Sequence, residues 1–460
     1  MNVDCSNDDD VQATENKLEC PFTWVMDENL AQTYEQDAYV NIEDQPIKAL
    51  MHSITLIYVH VIKKDLHTAY AKVKETIEVL NSMDFPQLEK EGISIKILVH
   101  IVRASQYHYY VARGNHAGAQ KILAEVPLLD AQQLRDKTNI GTLNGCKSLS
   151  WSVFFDAPKS IALAYASRAV QNSPNCALWN FILGKKIRHL RRDDSNFEPL
   201  PDEIKHLLKA YELSGSHYYG VFVAQMYGEM KEYGKAKQIS MEIYNCNPQS
   251  VGIRLRLALN FMKSKDYDYA KDCLDFVQIR CVDNSMYLHY KGLYFEKQKN
   301  YQMAALYYSK GAEKGNYKAD LQYAKCMSII NKKFNYVKHL DEMLTRHNKN
   351  TTLVQQIFLH TAMQFYFIKI DIKNALTYFL KAIQISPKNK QLKNYKNITM
   401  DYKTYNIVEF LYNKILPETH QKYPILPYDL SDVINTIEKL YPLCSTDGNS
   451  LSSNVENMEL

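Results

Sequence analysis

Three stretches decide how this chain folds: "YGKAKQI" (Tyr233 to Ile239), "YDYAKDCL" (Tyr267 to Leu274) and "YQMAALYY" (Tyr301 to Tyr308). Each places Tyr three residues before Ala, and Ala236, Ala270 and Ala304 stand 34 apart both times (270 − 236 and 304 − 270). Twelve residues before each Ala comes a small residue, Ala224, Ala258 or Gly292, and three beyond that an aromatic, Tyr227, Phe261 or Phe295. Such a period describes a helical hairpin. Small residues let its two helices approach, aromatics fill the gaps between hairpins, and no single unit buries its apolar face alone.

The pattern resembles the tetratricopeptide repeat, and with the phase fixed other units follow. "NALTYFLKAIQISPKN" supplies Ala375, Phe379, Ala382 and Pro387; "YHYYVARGNHAGAQKILAEV" supplies Tyr107, Tyr110, Gly114 and Ala119; "SIALAYASRAVQNSPN" supplies Ala162, Ala169 and Pro174. A weaker unit lies near Ala69, and one from Lys318 to Asn350 runs a residue short, with Phe334 and Val337 standing in for Tyr and Ala. The reading is an all-α tetratricopeptide superhelix, an α-solenoid of about nine hairpins. It divides into an acidic N-terminal segment (1–46), N-terminal hairpins (47–176), central hairpins (177–318) and C-terminal hairpins with a helical cap over about 403–442. The polar tail 443–460 is expected to be disordered.

Composition agrees with a globular chain. Of 460 residues 46% are apolar, the net charge is only +4, and the 34 tyrosines fall mostly on packing positions of the repeat. Nine cysteines with no CxxC argue against a disulfide scaffold or a structural zinc site and for reduced thiols in the cytosol. The N-terminus has neither the basic and apolar regions of a secretory signal nor the acid-poor character of a presequence. No stretch is apolar enough to span a membrane.

Catalytic signatures are missing: there is no GxGxxG, P-loop, GxSxG, HExxH or EF-hand loop, and the fourteen histidines form no cluster. The expectation is a protein that is not an enzyme and carries no cofactor and no metal. Repeats of this kind bind ligands on a concave face. The regular units line that face with Tyr218, Val221, Gln225, Gly228 and Glu229, then Gly252, Leu255, Leu259, Met262 and Lys263, then Met286, His289, Leu293, Glu296 and Lys297. This set lacks the Lys/Asn/Lys/Arg clamp for a peptide carboxylate.

One stretch breaks the charge balance. "GKKIRHLRRD", Gly184 to Asp193, holds five Lys or Arg and one His. With Gly184 at the small position of its repeat, Lys185, Arg188 and His189 fall on the concave side, and Arg192 continues the same i, i+3, i+4, i+7 stripe. Lys147 in the preceding unit would point the same way. Like charges at i, i+4 cost about 0.2–0.5 kcal/mol per pair, which a bound anion would offset. The competing reading is internal neutralisation by Asp193, Asp194, Glu198, Asp202 and Glu203 in the long turn that follows.

"CPFTW", Cys20 to Trp24, is similar to the C-H-F-T-W signature of the interferon-induced proteins with tetratricopeptide repeats. "IKALMHSITLIYVHVIKKDLHTAYAKVKETIEVL" and "YHYYVARGNHAGAQKILAEV" resemble that family's first two hairpins. The resemblance implies a cytosolic antiviral protein that takes single-stranded RNA with a 5′-triphosphate into a basic tunnel, with the phosphate-contacting arginine at Arg191. The family's lysine, four residues after a tryptophan, is replaced here, since Trp151 is followed at that distance by Phe155. Phosphates would then be held by Lys147, Lys185, Arg188, His189, Arg191 and Arg192, with Tyr or Trp rings stacking on bases. The rival expectation is a scaffold that holds protein partners in the same groove without RNA. Self-association through the C-terminal hairpins is a third.

Overall fold

The computed structural model describes residues 18–26, 28–32, 44–130, 132–154, 157–193, 198–397 and 403–441. Phe155 and the tail 443–460 lie outside the described residues. The chain forms two compact units, 1–334 and 335–460.

The first unit is a run of helical hairpins, as the period requires. They pair Pro46–Ile62 with Leu66–Asn81, Ile95–Ala112 with His116–Glu125, Lys137–Trp151 with Lys159–Asn172, and Ala177–Asp193 with Pro201–Ser214. They continue with His217–Glu229 and Tyr233–Asn245, Val251–Ser264 and Tyr267–Cys281, and Ser285–Lys297 and Tyr301–Glu313; Tyr317–Ile330 follows. Side-chain caps start several of these helices: Asp65, Asn115 and Asn300 accept from the backbone amides of Thr68, Gly118 and Met303. Within the three regular repeats the hairpin turns on a lysine in the left-handed region, Lys231, Lys265 and Lys299 at φ 63°, 66° and 60°. These turns keep the 34-residue spacing (265 − 231 and 299 − 265).

The diagnostic small residues sit at the closest approaches. Ala258, Ala270 and Ala304 are fully buried. A Cβ on Gly292 would lie 2.6 Å from the Tyr308 ring, and one on Gly145 would lie 2.3 Å from the Trp179 ring. The "CPFTW" loop folds onto the first three hairpins. Cys20 is buried, Phe22 stacks on His108 at 4.8 Å, the Trp24 Nε1 donates to Glu19 at 2.7 Å, and the Glu19 amide donates to His100. Another long-range bond joins the Ser250 hydroxyl to Asp44, tying the lead-in of the first helix to the start of the sixth hairpin.

The second unit contains Tyr336–His347, the hairpin Thr351–Gln364 with Ile372–Ile385, and a helical end from Ile407 to Lys422 followed by Tyr428–Leu440. Its core gathers Leu359, Met363, Leu376, Phe379, Ile383, Ile407 and Ile434. Ahead of the expected cap comes an element the period did not predict, a small antiparallel β-hairpin pairing Tyr395 with Tyr405 and Lys396 with Thr404. Its strands are two residues each, too short to show an alternation in sequence.

Candidate polyanion-binding recess

The helix Ala177–Asp193 carries the basic stretch and packs on Pro201–Ser214. A Cβ on Gly184 would lie 2.9 Å from Leu207, so the small residue sets the crossing that presents one face of this helix. Two carboxylates meet its arginines. Arg191 donates Nε and Nη2 to Glu203 at 2.7 and 3.0 Å, and Nη2 also to Glu229 at 2.7 Å. Arg188 and Arg192 both bond Glu229. Arg188 and Arg191, which the helical phase separates, thus converge on one acidic pair. Arg188 is only 3% exposed, and its Nε and Nη1 have no hydrogen-bond partner among the described residues. Burial and the charge of Arg192 draw its pKa down to about 10.

Neutralisation therefore reaches part of the stretch, and from partners only partly legible in the sequence. Glu203 belongs to the suspected acidic turn, but Glu229 is a groove position of the next hairpin. Lys147 is engaged elsewhere: it bonds Glu19 at 2.8 Å and lies 5.6 Å from the Trp24 ring centre. Trp24, Trp151 and Trp179 are all buried, so none offers a face to a base.

Lys185 differs from its arginine neighbours. Its Nζ sits 5.3 Å from the Phe181 ring centre and 5.0 Å from that of Phe222. The Arg256 guanidinium lies 3.8 Å from the centre of the same Phe222 ring, so both cations are held by attraction to the ring's π system. Phe181, Phe222 and Tyr218 are buried in edge-to-face contact, with Tyr219 stacked on Phe181 at 4.2 Å. No described carboxylate forms an ion pair with Lys185, Arg256 or Lys263.

The electrostatics follow. Burial and the charges of Lys48, Arg256, Lys186 and Arg188 hold the Lys185 ammonium well below its ordinary pKa. Burial, Lys185, Lys186, Lys159 and Arg188 do the same to His189. Burial draws Lys263 down to about 8, with Arg188 and Arg192 adding to the fall and Glu229 opposing it. Lys318 is lowered by burial and by Arg192. His189, Lys263 and Lys318 are nevertheless open to solvent. These side chains, exposed to water yet crowded by like charges, form a positively charged cluster, the candidate basic recess of the first unit.

Lys185, Arg188, His189 and Arg192, singled out from the sequence, stand in this cation cluster, and Lys48, Arg256 and Lys318, which the sequence reading did not name, join it from other hairpins. Lys263, noted only as a groove position, lies beside Arg188 and Arg192. No three His, Cys, Asp or Glu side chains gather as a metal site among the described residues, and no described helix is long and apolar enough to cross a membrane.

No protein-family model matches the chain, and no curated protein matches it. Solved structures do. A human IFIT1 dimer with PPP-AAAA matches at a TM-score of 0.59 and 15% identity, over 94% of this chain and 95% of that one. A human IFIT1 dimer with m7Gppp-AAAA matches at 0.61 and 15%, over 94% and 95%. A monomeric IFIT1 mutant with Gppp-AAAA matches at 0.61 and 15%, over 94% and 100%. At this identity the likeness is one of fold, and it agrees with the family resemblance carried by "CPFTW" and the first hairpins. The chain is an all-α array of tetratricopeptide-type hairpins with the fold of IFIT1.

Proposed function

We propose that this protein is a non-enzymatic RNA-binding protein that holds a single strand by its phosphates in the basic recess of the first unit. One observation carries the reading: Lys185 and Arg256 both lie against the buried Phe222 ring without a described carboxylate partner, among further cations whose mutual repulsion an anion relieves. The exposed Lys263 extends the same surface. Of the residues expected from sequence, Lys185, Arg188, His189 and Arg192 stand at this recess, Arg191 anchors its acidic pair, and Lys147 braces the N-terminal loop. The RNA bound to IFIT1 in the matching structures supports the same assignment, as does the family resemblance, which adds a role in sequestering foreign RNA in the cytosol.

The test is binding of the full chain to a short single-stranded RNA bearing a 5′-triphosphate, a 5′-monophosphate or a 5′-hydroxyl, at low and moderate salt. Binding should fall steeply with salt, because each phosphate contact releases condensed counterions. Lys185→Ala with Arg256→Ala should weaken it at least about tenfold, with a far-UV circular dichroism spectrum like the parent's checking that the fold is kept. Equal binding by the double variant would overturn the reading.

A second reading has its own support. Glu203 and Glu229 already occupy three arginines of the stretch, which suits a scaffold whose recess takes an acidic peptide segment. Capture of a polyglutamate peptide in place of RNA, lost in the same double variant, would favour it.

A further inference from the structure

The β-hairpin of the second unit interrupts the repeat with a segment of unusual charge. From Ser386 to Lys403 the sequence "SPKNKQLKNYKNITMDYK" holds five lysines, Lys388, Lys390, Lys393, Lys396 and Lys403, against a single carboxylate, Asp401. A regular repeat would pass from Pro387 into its next α-helix within a few residues; here, after a short 3-10 turn at Lys390–Leu392, the next α-helix among the described residues begins at Ile407.

This insertion is anchored from below. Tyr395 is buried, and its hydroxyl meets His360 Nδ1 at 2.6 Å. Burial lowers the His360 pKa to about 4, which keeps the imidazole neutral and able to accept. The Gln355 amide donates to the carbonyls of Ala382 and Ser386 at 2.8 and 3.0 Å. Gln356 bonds Gln391 at 3.0 Å, and the Asn397 amide donates to the Lys403 carbonyl at 2.9 Å, closing the ribbon. Leu392 is buried beneath.

Above this base Lys388, Lys393 and Lys403 are exposed, and neither Lys388 nor Lys393 has an ion-pair partner among the described residues. A solvated charge run of this kind usually sits on a helix face interleaved with acids. This one is nearly acid-free in sequence, and its described residues 386–397 and 403–405 are held by these bonds, so less of their backbone freedom is lost when a ligand binds.

We propose that the ribbon is a second, sequence-independent nucleic-acid contact, taking the phosphodiester backbone of RNA through Lys388, Lys393 and Lys403. Lysine ammonium groups on flexible stems are point charges suited to a phosphate row rather than to one fixed geometry. A membrane surface fits less well, since no large apolar side chain is exposed among the ribbon's described residues to enter the lipid interface. The proposal does not rest on the recess of the first unit.

The experiment uses the full chain and a blunt RNA duplex, titrated by fluorescence anisotropy across a salt series. Lys388→Gln/Lys393→Gln/Lys403→Gln is expected to weaken duplex binding about tenfold and to flatten the salt slope by about 2.7, the loss of three contacts at roughly 0.9 each. The Lys185→Ala/Arg256→Ala variant should bind the duplex as the parent does, so failure of the recess reading leaves this result intact. Unchanged affinity and slope in the triple variant would overturn the proposal. So would loss of binding only to phosphatidylserine vesicles, with RNA binding retained. Because the three lysines are exposed, an unchanged thermal melt checks that folding is not the cause.

Discussion

Arg191 and Glu203 form a two-pronged ion pair, Nε to Oε2 at 2.7 Å and Nη2 to Oε1 at 3.0 Å, in which neither side chain is reached by solvent. Removing one partner of such a pair strands the other as a buried charge, at a cost of about 3–5 kcal/mol. Glu203→Ala should therefore shift the urea midpoint strongly, with Glu229 offsetting part of the loss. Arg191→Glu, although the obvious RNA-binding variant from the sequence, would mainly report on folding. A Glu203→Ala protein as stable as the parent would contradict this account.

Binding of anions in the recess should depend on pH through Lys263. Its pKa is lowered from 10.5 to about 8; an approaching anion stabilises the charged amine and raises that value. Binding then takes up protons, and RNA affinity should fall several-fold as pH rises from about 7 to about 9 at fixed ionic strength. Folding carries the matching sign. The unfolded chain binds more protons at this group between 8 and 10.5, so stability contributed by Lys263 rises with pH across that window and is flat below it. A Lys263→Met protein should lose the part of the proton uptake on binding that Lys263 contributes, leaving that of Lys185 and Lys318.

The three turn lysines are replaceable to advantage. Lys231, Lys265 and Lys299 hold left-handed backbone conformations that cost a residue with a Cβ about 1–2 kcal/mol and cost glycine little. After glycine's larger unfolded-state entropy is subtracted, each Lys→Gly change should raise stability by about 0.5–1 kcal/mol in chemical denaturation.

At two other positions the sign reverses. Gly145→Ala drives a methyl group into the Trp179 ring, and Gly292→Ala does the same at Tyr308. Both rings are fully buried and have little room to yield, so each change should cost about 1–3 kcal/mol, read as a lower melting temperature.

The hairpin array was legible because its repeat writes packing into fixed offsets: Ala270 and Ala304 are the buried contacts that their spacing announced. The basic stripe was legible for the same reason, since one helix holds Lys185, Arg188, His189 and Arg192 in register. Its neighbours were not, because the groups that decide the charge come from other hairpins. Glu229 lies 38 residues from Arg191, and Arg256 reaches Phe222 from another hairpin. A helical wheel also placed Arg191 off the stripe, whereas its long side chain turns to share Glu229 with Arg188. The lysine ribbon of the second unit escaped notice because no period runs through it.

The bond between Asp44 and Ser250 spans 206 residues, and a Cβ on Gly252 would lie 3.1 Å from the same carboxylate. A stack of hairpins is elastic along its length; this tie fastens two distant turns of the spring. Widening the space between them means stretching that fastening first, so Gly252→Val, by crowding the Asp44 carboxylate, should loosen the lead-in of the first helix and speed its amide hydrogen exchange.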